Sequence, residues 1–519
     1  MPSERVRPKP SLFDIIFVIW AVVVPIGFSS RLLNSDGDLA RHLRLGELML
    51  SRHGLLRTDV FSYTAAGKPF LAFEWGSEVA YAAAERLGGL AMVSILAGVL
   101  LALTFALLAR LMIRRGGDPL LAYLISMAAA VLSAGHWLAR PHLFTLLFVV
   151  VLLDLLDRDR PAPLWLYAPL FAVWANFHGG FSYGFILIGA FLAGDLLEAW
   201  QSDDPRLRLA SARNRALALG IALLATLANP HGIGLLVHVG SFFGQQAILQ
   251  QTYEFQSPDF HKINGRLFLL ALLAVMAALA FCRRRPSWPW LLVILGNVAM
   301  ALVSQRNVEL FALTALPLTA LHVDPEWRAL PILSRARAVF QREYQGRYSG
   351  LFAGMVAALM VGVGLGHGRV AGMQLVDDRF DPRVFPVAAA ERARSAGLSG
   401  PIFNQFTWGG WMLHEWPEMP VFIDGGTDHY GEELFTEYMR LWNLEPGWRD
   451  ILAKWKIRWV LIDARAGMAH ELVLEPGWGV WYCDSVAVML ERRAGPDSAG
   501  GSGRARLERC AWPRKDANR

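Results

Sequence analysis

Charged residues are scarce in this chain: Asp, Glu, Lys and Arg make up 18% of its 519 residues, against 54% hydrophobic residues. A single water-soluble core could hardly hide that much apolar surface, so lipid is the natural solvent for the excess. Cysteine is nearly absent. Cys282, Cys483 and Cys510 are odd in number and show no metal spacing, which predicts neither a disulfide framework nor a zinc site. No histidine pair has the i, i+4 spacing with glutamate of a zinc protease. No internal repeat is visible, which weighs against a transporter built from duplicated halves. The net charge of +6 could suggest a nucleic-acid partner. The basic residues, however, lie in short loops between apolar runs, a pattern of membrane orientation that argues for no nucleic acid.

What is abundant is apolar sequence in runs of about 20 residues, each enough to cross a hydrocarbon layer of roughly 30 Å. These runs recur to residue 368 and predict a polytopic α-helical membrane protein of about eleven transmembrane helices over 1–368. The first, Leu12 to Ser30, follows Arg5, Arg7 and Lys9. It is long for a signal h-region and has no small-residue cleavage site, so an uncleaved helix is expected. From residue 369 the composition becomes mixed. A C-terminal soluble α/β domain is expected over 385–495, followed by a Gly-, Ser- and Arg-rich tail, 496–519, expected to be disordered.

The loops alternate in charge. The N-terminus, Arg110–Arg115, Arg158–Arg160, Arg206–Arg215, Arg283–Arg285 and Arg328–Arg347 are basic. The positive-inside rule places them in the cytoplasm as topogenic arginine clusters, without histidines, asparagines or carboxylates converging on them. Arg31–Gly88, His136–His142, Asn176–Gly180, Asn229–Arg266 and Ser304–Asn307 then face outward, together with the C-terminal domain. Burying a charge at the bilayer centre costs about 2.5 to 3.5 kcal/mol on insertion scales, so polar residues in the outward set are expected to line a polar cavity.

Within the first outward loop, 31–88, Asp36-Gly37-Asp38 precedes an amphipathic stretch in which Leu39, Leu43, Gly46 and Leu50 share a side, while Arg41, Arg44 and Glu47 point elsewhere. Either aspartate could simply cap a helix lying in the interface. Alternatively, two carboxylates two residues apart can converge on one hydroxyl or one cation. His42, Glu74 and Glu78 in the same loop add binding groups. His136, Arg140, His142, Asn176, His178, Asn229 and His231 repeat an Asn/His/Gly theme at outward helix ends and suggest a shared pocket, although Asn-Pro-His-Gly also reads as a plain helix stop. Arg306, beside Asn307, is either a snorkelling arginine or a phosphate clamp, and Arg140 is a second candidate for that clamp.

In the C-terminal domain, Pro401–Asn404, Pro420–Ile423, Trp459–Ile462 and Val486–Leu490 read as strands, and Glu432–Leu444 and Trp448–Trp455 as helices. Asn404, Trp408, Asp424, Asp428 and Tyr430 fall at the ends of the first two strands, where open α/β sheets bind ligands. With tryptophans taken as exposed nearby, sugar or acceptor binding is the expected role. The alternative is that Asp424 and its neighbouring glycines only make tight turns.

The layout of an acidic first loop, amphipathic helices, many spans and a C-terminal domain on the same side resembles the GT-C class of membrane glycosyltransferases, in particular bacterial relatives of the protein O-mannosyltransferase and aminoarabinose transferase families. The likeness is carried by Asp36 and Asp38, by the stretch closed by Glu74-Trp75-Gly76-Ser77-Glu78, and by the short outward turns. The mannosyltransferases have adjacent Asp-Glu, so the departure to Asp-Gly-Asp leaves open which carboxylate is the base. The resemblance implies an inverting transfer of sugar from a polyprenyl-phosphate donor to a glycan, lipid or protein acceptor, at the outer face of a bacterial inner (plasma) membrane. Asp38 or Asp36 would act as base. Positive charge for the leaving phosphate would come from Arg306 or Arg140, or from a divalent cation (Mg or Mn) held by Asp36 and Asp38. A transporter or flippase for a polar lipid or glycan, and a noncatalytic subunit of envelope polysaccharide assembly, are the alternatives.

Overall fold

The computed structural model describes residues 9–511, apart from 159, 243, 245, 344–349 and 494–499. Arg5 and Arg7, Arg347 at the end of one basic loop, and residues 512–519 of the tail therefore lie outside the described residues. The chain divides into two compact units, one of residues 1–32, 84–243 and 249–377, the other of 33–83, 244–248 and 378–519.

The first unit is helical. Five helices of the chain are long and apolar enough to cross a membrane: Leu12–Asn34, Trp75–Arg114, Pro119–His136, Phe181–Gln201 and Ile263–Phe281. Shorter apolar helices are His142–Leu156, Leu164–Phe177, Trp288–Val303 and Leu351–Leu365. This is a multi-pass helical membrane protein. The 40-residue helix Trp75–Arg114 is broken where Gly88 and Gly89 leave helical geometry. Gly89 has φ +64°, a conformation that a side chain disfavours. Small residues let backbones approach where lipid supplies no hydrophobic drive. A Cβ on Gly88 would lie 2.2 Å from the carbonyl oxygen of Gly364, and one on Gly194 would lie 2.3 Å from Pro289 N. Asp14, fully buried, accepts from the backbone N–H groups of Gly350 (2.9 Å) and Ala353 (3.0 Å) at the start of Leu351–Leu365. A buried carboxylate at a helix N-terminus thereby satisfies orphan donors.

The basic loops differ from expectation. Their arginines do meet carboxylates: Arg114 and Arg158 with Asp154, Arg115 with Asp157, Arg215 with Asp195, and Arg328 with Asp324. Pairing lowers the cost of holding a guanidinium beside apolar helices. The span 229–266, expected to be a loop, contains the helices Ile233–Phe242 and Gln246–Gln251 and a 3₁₀ turn, Tyr253–Phe255.

The second unit is built on a four-stranded sheet in the order Ile402–Asn404, Trp459–Asp463, Ala487–Arg492, Trp478–Cys483. The first pair is parallel, with Ile402 opposite Trp459, and the others are antiparallel. Sequence patterning missed the edge strand Trp478–Cys483, and Pro420–Ile423 is not a sheet strand. Instead Val421 bridges Ser62 of the 33–83 segment. The helix Asp38–Arg52 packs on Phe406–Glu415 through glycines: a Cβ on Gly37 would lie 2.2 Å from Thr407 O, and one on Gly410 2.2 Å from Gly37 O. Trp408, Trp411 and Trp416 are buried in this core, at 3%, 2% and 2% exposure, which corrects the expectation of exposed tryptophans for sugar stacking.

Two expectations about the C-terminal end are overturned. Cys483 and Cys510 form a disulfide, so the odd cysteine count hid one pair and one free thiol, Cys282. Residues 500–511 form a helix rather than a disordered tail, with Leu507 and Ala511 buried and Arg506 Nη1 donating to Val480 O at 3.1 Å. A bridge closing a loop of 27 residues stabilises by roughly 3 kcal/mol through the unfolded chain. Cys510→Ser is therefore expected to expose Arg504, Arg506 and Arg509 to trypsin under conditions where the oxidised wild type resists, as read by mass spectrometry of limited digests.

Candidate functional site

The second unit gathers residues from both ends of the sequence around one guanidinium. Arg41 lies on Asp38–Arg52, facing inward rather than outward as the amphipathic pattern suggested, and is 8% exposed. Its Nε is 2.9 Å from Oδ1 of the fully buried Asp424. The other Asp424 oxygen accepts from the Tyr430 hydroxyl at 2.8 Å, and Oδ1 also accepts from Gly426 N at 2.7 Å. Burial works against the Arg41 charge, but Asp424, Asp428, Glu78 and Asp38 outweigh it and hold the guanidinium more firmly protonated than usual. Gly425 and Gly426 are required by this packing. A Cβ on Gly425 would sit 1.7 Å from Asp38 Oδ1, and one on Gly426 2.4 Å from an Arg41 nitrogen.

Asp36 turns back on its own segment, its Oδ1 accepting from Asp38 N at 3.0 Å. Asp38 stands against Gly425, beside Arg41. His42 Nδ1 lies 3.1 Å from Glu78 Oε1, and His42, Glu74 and Glu78 each offer a ligand atom within 4.8 Å of the others. Burial, with the neighbouring charges of Glu78 and Asp428, pushes the Glu74 carboxyl up to about 7 against the pull of His42 and Arg41. A second pair escaped sequence reasoning: His429 Nε2 meets Asp59 Oδ2 at 2.9 Å, and Asp59 also accepts from Phe61 N, Ser62 N and Ser62 Oγ. These bonds hold Asp59 ionised against burial. The only trace in the sequence was a Thr58-Asp59 among turn residues. Asn404 is a clamp inside the unit, bonded to Ile423 O (2.8 Å) and Phe422 N (2.8 Å), and Trp408 Nε1 donates to Val384 O.

The first unit holds the other predicted residues. His136 lies between Glu309 (Nδ1, 3.3 Å) and Glu254 (Nε2, 3.5 Å), and its ring is 4.5 Å from that of His142. Arg140 pairs with Glu254 at 3.1 Å, and Arg306, stacked over Phe255 at 5.5 Å, adds its charge to the same carboxylate. Burial would raise the Glu254 carboxyl, but His136, Arg140 and Arg306 hold it far below the usual range. Sequence reasoning missed Glu254 and Glu309, which sit in a turn and in a helix without a local motif. His178 Nδ1 contacts Thr145 Oγ1 and accepts from Gly180 N. Asn176 ties backbone carbonyls of Ala172 and Ala228, Asn229 accepts from His231 N in a turn, and Asn307 donates to Met300 O. Of the residues expected to share a pocket, His136, Arg140, His142 and Arg306 lie near one another, while the asparagines bond to backbone at helix ends.

Among the described residues, two groups could hold a metal ion, His42–Glu74–Glu78 and His136–His142–Glu309; neither contains Asp36 or Asp38.

No protein-family model and no curated protein sequence matches the chain. Solved structures do. The oligosaccharyltransferase of Archaeoglobus fulgidus in its apo form superposes with a TM-score of 0.55 at 12% identity, covering 93% of this chain and 74% of that one. The same protein in complex with an inhibitory peptide and a dolichol-phosphate gives 0.54 at 11% identity over 91% and 72%. ArnT from Cupriavidus metallidurans bound to undecaprenyl phosphate gives 0.47 at 14% over 93% and 98%. The likeness is one of fold: the chain shares the fold of the A. fulgidus oligosaccharyltransferase.

Two outcomes test this site. Arg41→Leu leaves Asp424 as a buried, uncompensated charge and is expected to destabilise the second unit by about 3 to 5 kcal/mol in thermal or denaturant unfolding, whereas exposed Arg449→Leu should not. The raised Glu74 carboxyl favours the folded state below about pH 4.5, and that contribution is lost as pH rises through about 7. In chelator-treated buffer, Glu74→Gln should therefore raise Tm at pH 8 and leave it near wild type at pH 5; an equal shift at both would show that Glu74 ionisation carries no cost.

Proposed function

We propose that this protein transfers a sugar from a polyprenyl-phosphate donor to an envelope acceptor, with inversion, at the outer face of a bacterial inner membrane. The observation that carries the reading is the second unit's cluster, in which Asp38, Glu74, Glu78, Asp424 and Asp428 surround Arg41. Asp424 is held by Arg41, Tyr430 and Gly426 and serves to position the guanidinium. Asp38 then takes the proton from the acceptor hydroxyl, the acceptor oxygen bonds to the anomeric carbon, and the bond from that carbon to the phosphate oxygen breaks. The polyprenyl phosphate departs with its electron pair. Separately, in the first unit, Arg140 and Arg306 with His136 form a cationic group suited to an anionic phosphate. His42, Glu74 and Glu78 fit a divalent cation by donor set, and such an ion would supply further positive charge to an anionic donor. A dolichol-phosphate bound by the A. fulgidus oligosaccharyltransferase, which shares the fold, supports a lipid-phosphate donor.

The outward orientation rests on two independent supports. Arginine-rich loops alternate with His- and Asn-bearing ones, and the Cys483–Cys510 disulfide suits an oxidising compartment. Among the described residues the four shorter apolar helices bring the five long ones to nine candidate spans, and about eleven in this reading requires two more, for which Arg206–Ala225 and Ala315–Arg328 are candidates.

With labelled polyprenyl-phosphate sugars and a panel of envelope acceptors, Asp38→Asn is expected to lower turnover roughly 100- to 10,000-fold while donor binding persists. Asp36→Asn, a local backbone acceptor, should change it only a few-fold. Wild-type turnover in both variants would move a transport or scaffold role ahead.

A further inference from the structure

The helix Asp38–Arg52 meets the start of Trp75–Arg114 at Gly46, where a Cβ would lie 2.1 Å from Glu78 O and 2.8 Å from the Ala82 methyl. One turn before Gly46 stands His42, and one turn before Glu78 stands Glu74, so the close approach brings the imidazole and both carboxyl groups together. Gly46 therefore sets the spacing of the group. Glu78 Oε1 faces His42 Nδ1 at 3.1 Å, but Glu78 Oε2 is buried without a hydrogen-bond partner, in a side chain only 4% exposed. A buried carboxylate oxygen left this way costs free energy that a cation would recover.

We propose that His42, Glu74 and Glu78 form a binding site for one divalent first-row transition-metal ion. The inference rests on the second unit's site as read above and replaces Asp36 and Asp38 as the metal ligands. One imidazole nitrogen with two carboxylates is a donor set suited to Mn or Zn over Mg or Ca, which favour all-oxygen surroundings. The alternative group, His136–His142–Glu309, has less need of an ion: His136 already lies between two glutamates, and His142 Nε2 faces His136 O at 3.0 Å.

The test uses the full-length protein in detergent, stripped with chelator and titrated with MnCl₂, with free Mn read by EPR and no donor or acceptor present. One Mn per chain is expected, displaced by ZnCl₂ and at least tenfold less readily by MgCl₂. Binding should fall at least tenfold in Glu78→Gln and in His42→Ala and persist in Asp36→Asn and Glu309→Gln. In the wild type, pulsed EPR of the bound Mn should report coupling to an imidazole ¹⁴N, a readout independent of whether the variants fold. No stoichiometric binding, no nitrogen coupling, or loss of binding in Glu309→Gln with retention in His42→Ala overturns the proposal. Because no transfer is measured, a failure of the glycosyltransferase reading leaves this result standing, and the reverse holds equally.

Discussion

The buried pairing of Arg41 with Asp424 is the constraint on which the second unit depends. Asp424 has no exposure, and its oxygens are taken by a guanidinium, a tyrosine hydroxyl and a backbone N–H. Removing any one partner leaves a charge in a medium that solvates it poorly. The pair fixes where Asp38–Arg52 lies against the Asp424-Gly425-Gly426 turn, and the two glycines let Asp38 and Arg41 approach closer than any side chain would allow. The positions of Asp38 and His42 follow from that docking, because both stand on Asp38–Arg52, while the close approach at Gly46 brings Glu78 to His42.

The same logic accounts for the unit's make-up. The 33–83 segment, which reads in the sequence as a loop between two spans, belongs to one compact body with residues far downstream. Val421 bridges Ser62, His429 meets Asp59, and Asn404 clamps the chain running into Asp424. Each is a polar contact inside an apolar core rich in tryptophan, where partial satisfaction is costly and full satisfaction gives a single arrangement. Trp408, Trp411 and Trp416 serve this packing.

In the first unit the charged side chains form two kinds of set. Arg114, Arg115 and Arg215 each lie against an aspartate of another helix or its cap, while Arg158 and Arg328 lie against one four residues earlier in their own segment. Around Glu254, by contrast, Arg140, Arg306 and His136 converge on a single carboxylate. These cations come from two separate segments of the chain, 136–140 and Arg306, and His136 faces Glu309 as well.

The membrane class, the first helix, the amphipathic stretch after Asp38 and the change in composition near residue 369 were legible in the sequence, because hydrophobic length and periodicity are local properties. Asp38, His42, Glu74 and Glu78 could be singled out for the same reason, as polar residues in an apolar context. What pairs with what was not legible. Arg41 looked solvent-facing because its burial depends on Asp424, more than 380 positions away. Asp59, Glu254 and Glu309 carry no local motif, and the Cys483–Cys510 bridge could not be told from three unpatterned cysteines. Coulomb interaction, disulfide geometry and desolvation depend on distance in space, so only the tertiary structure decided them.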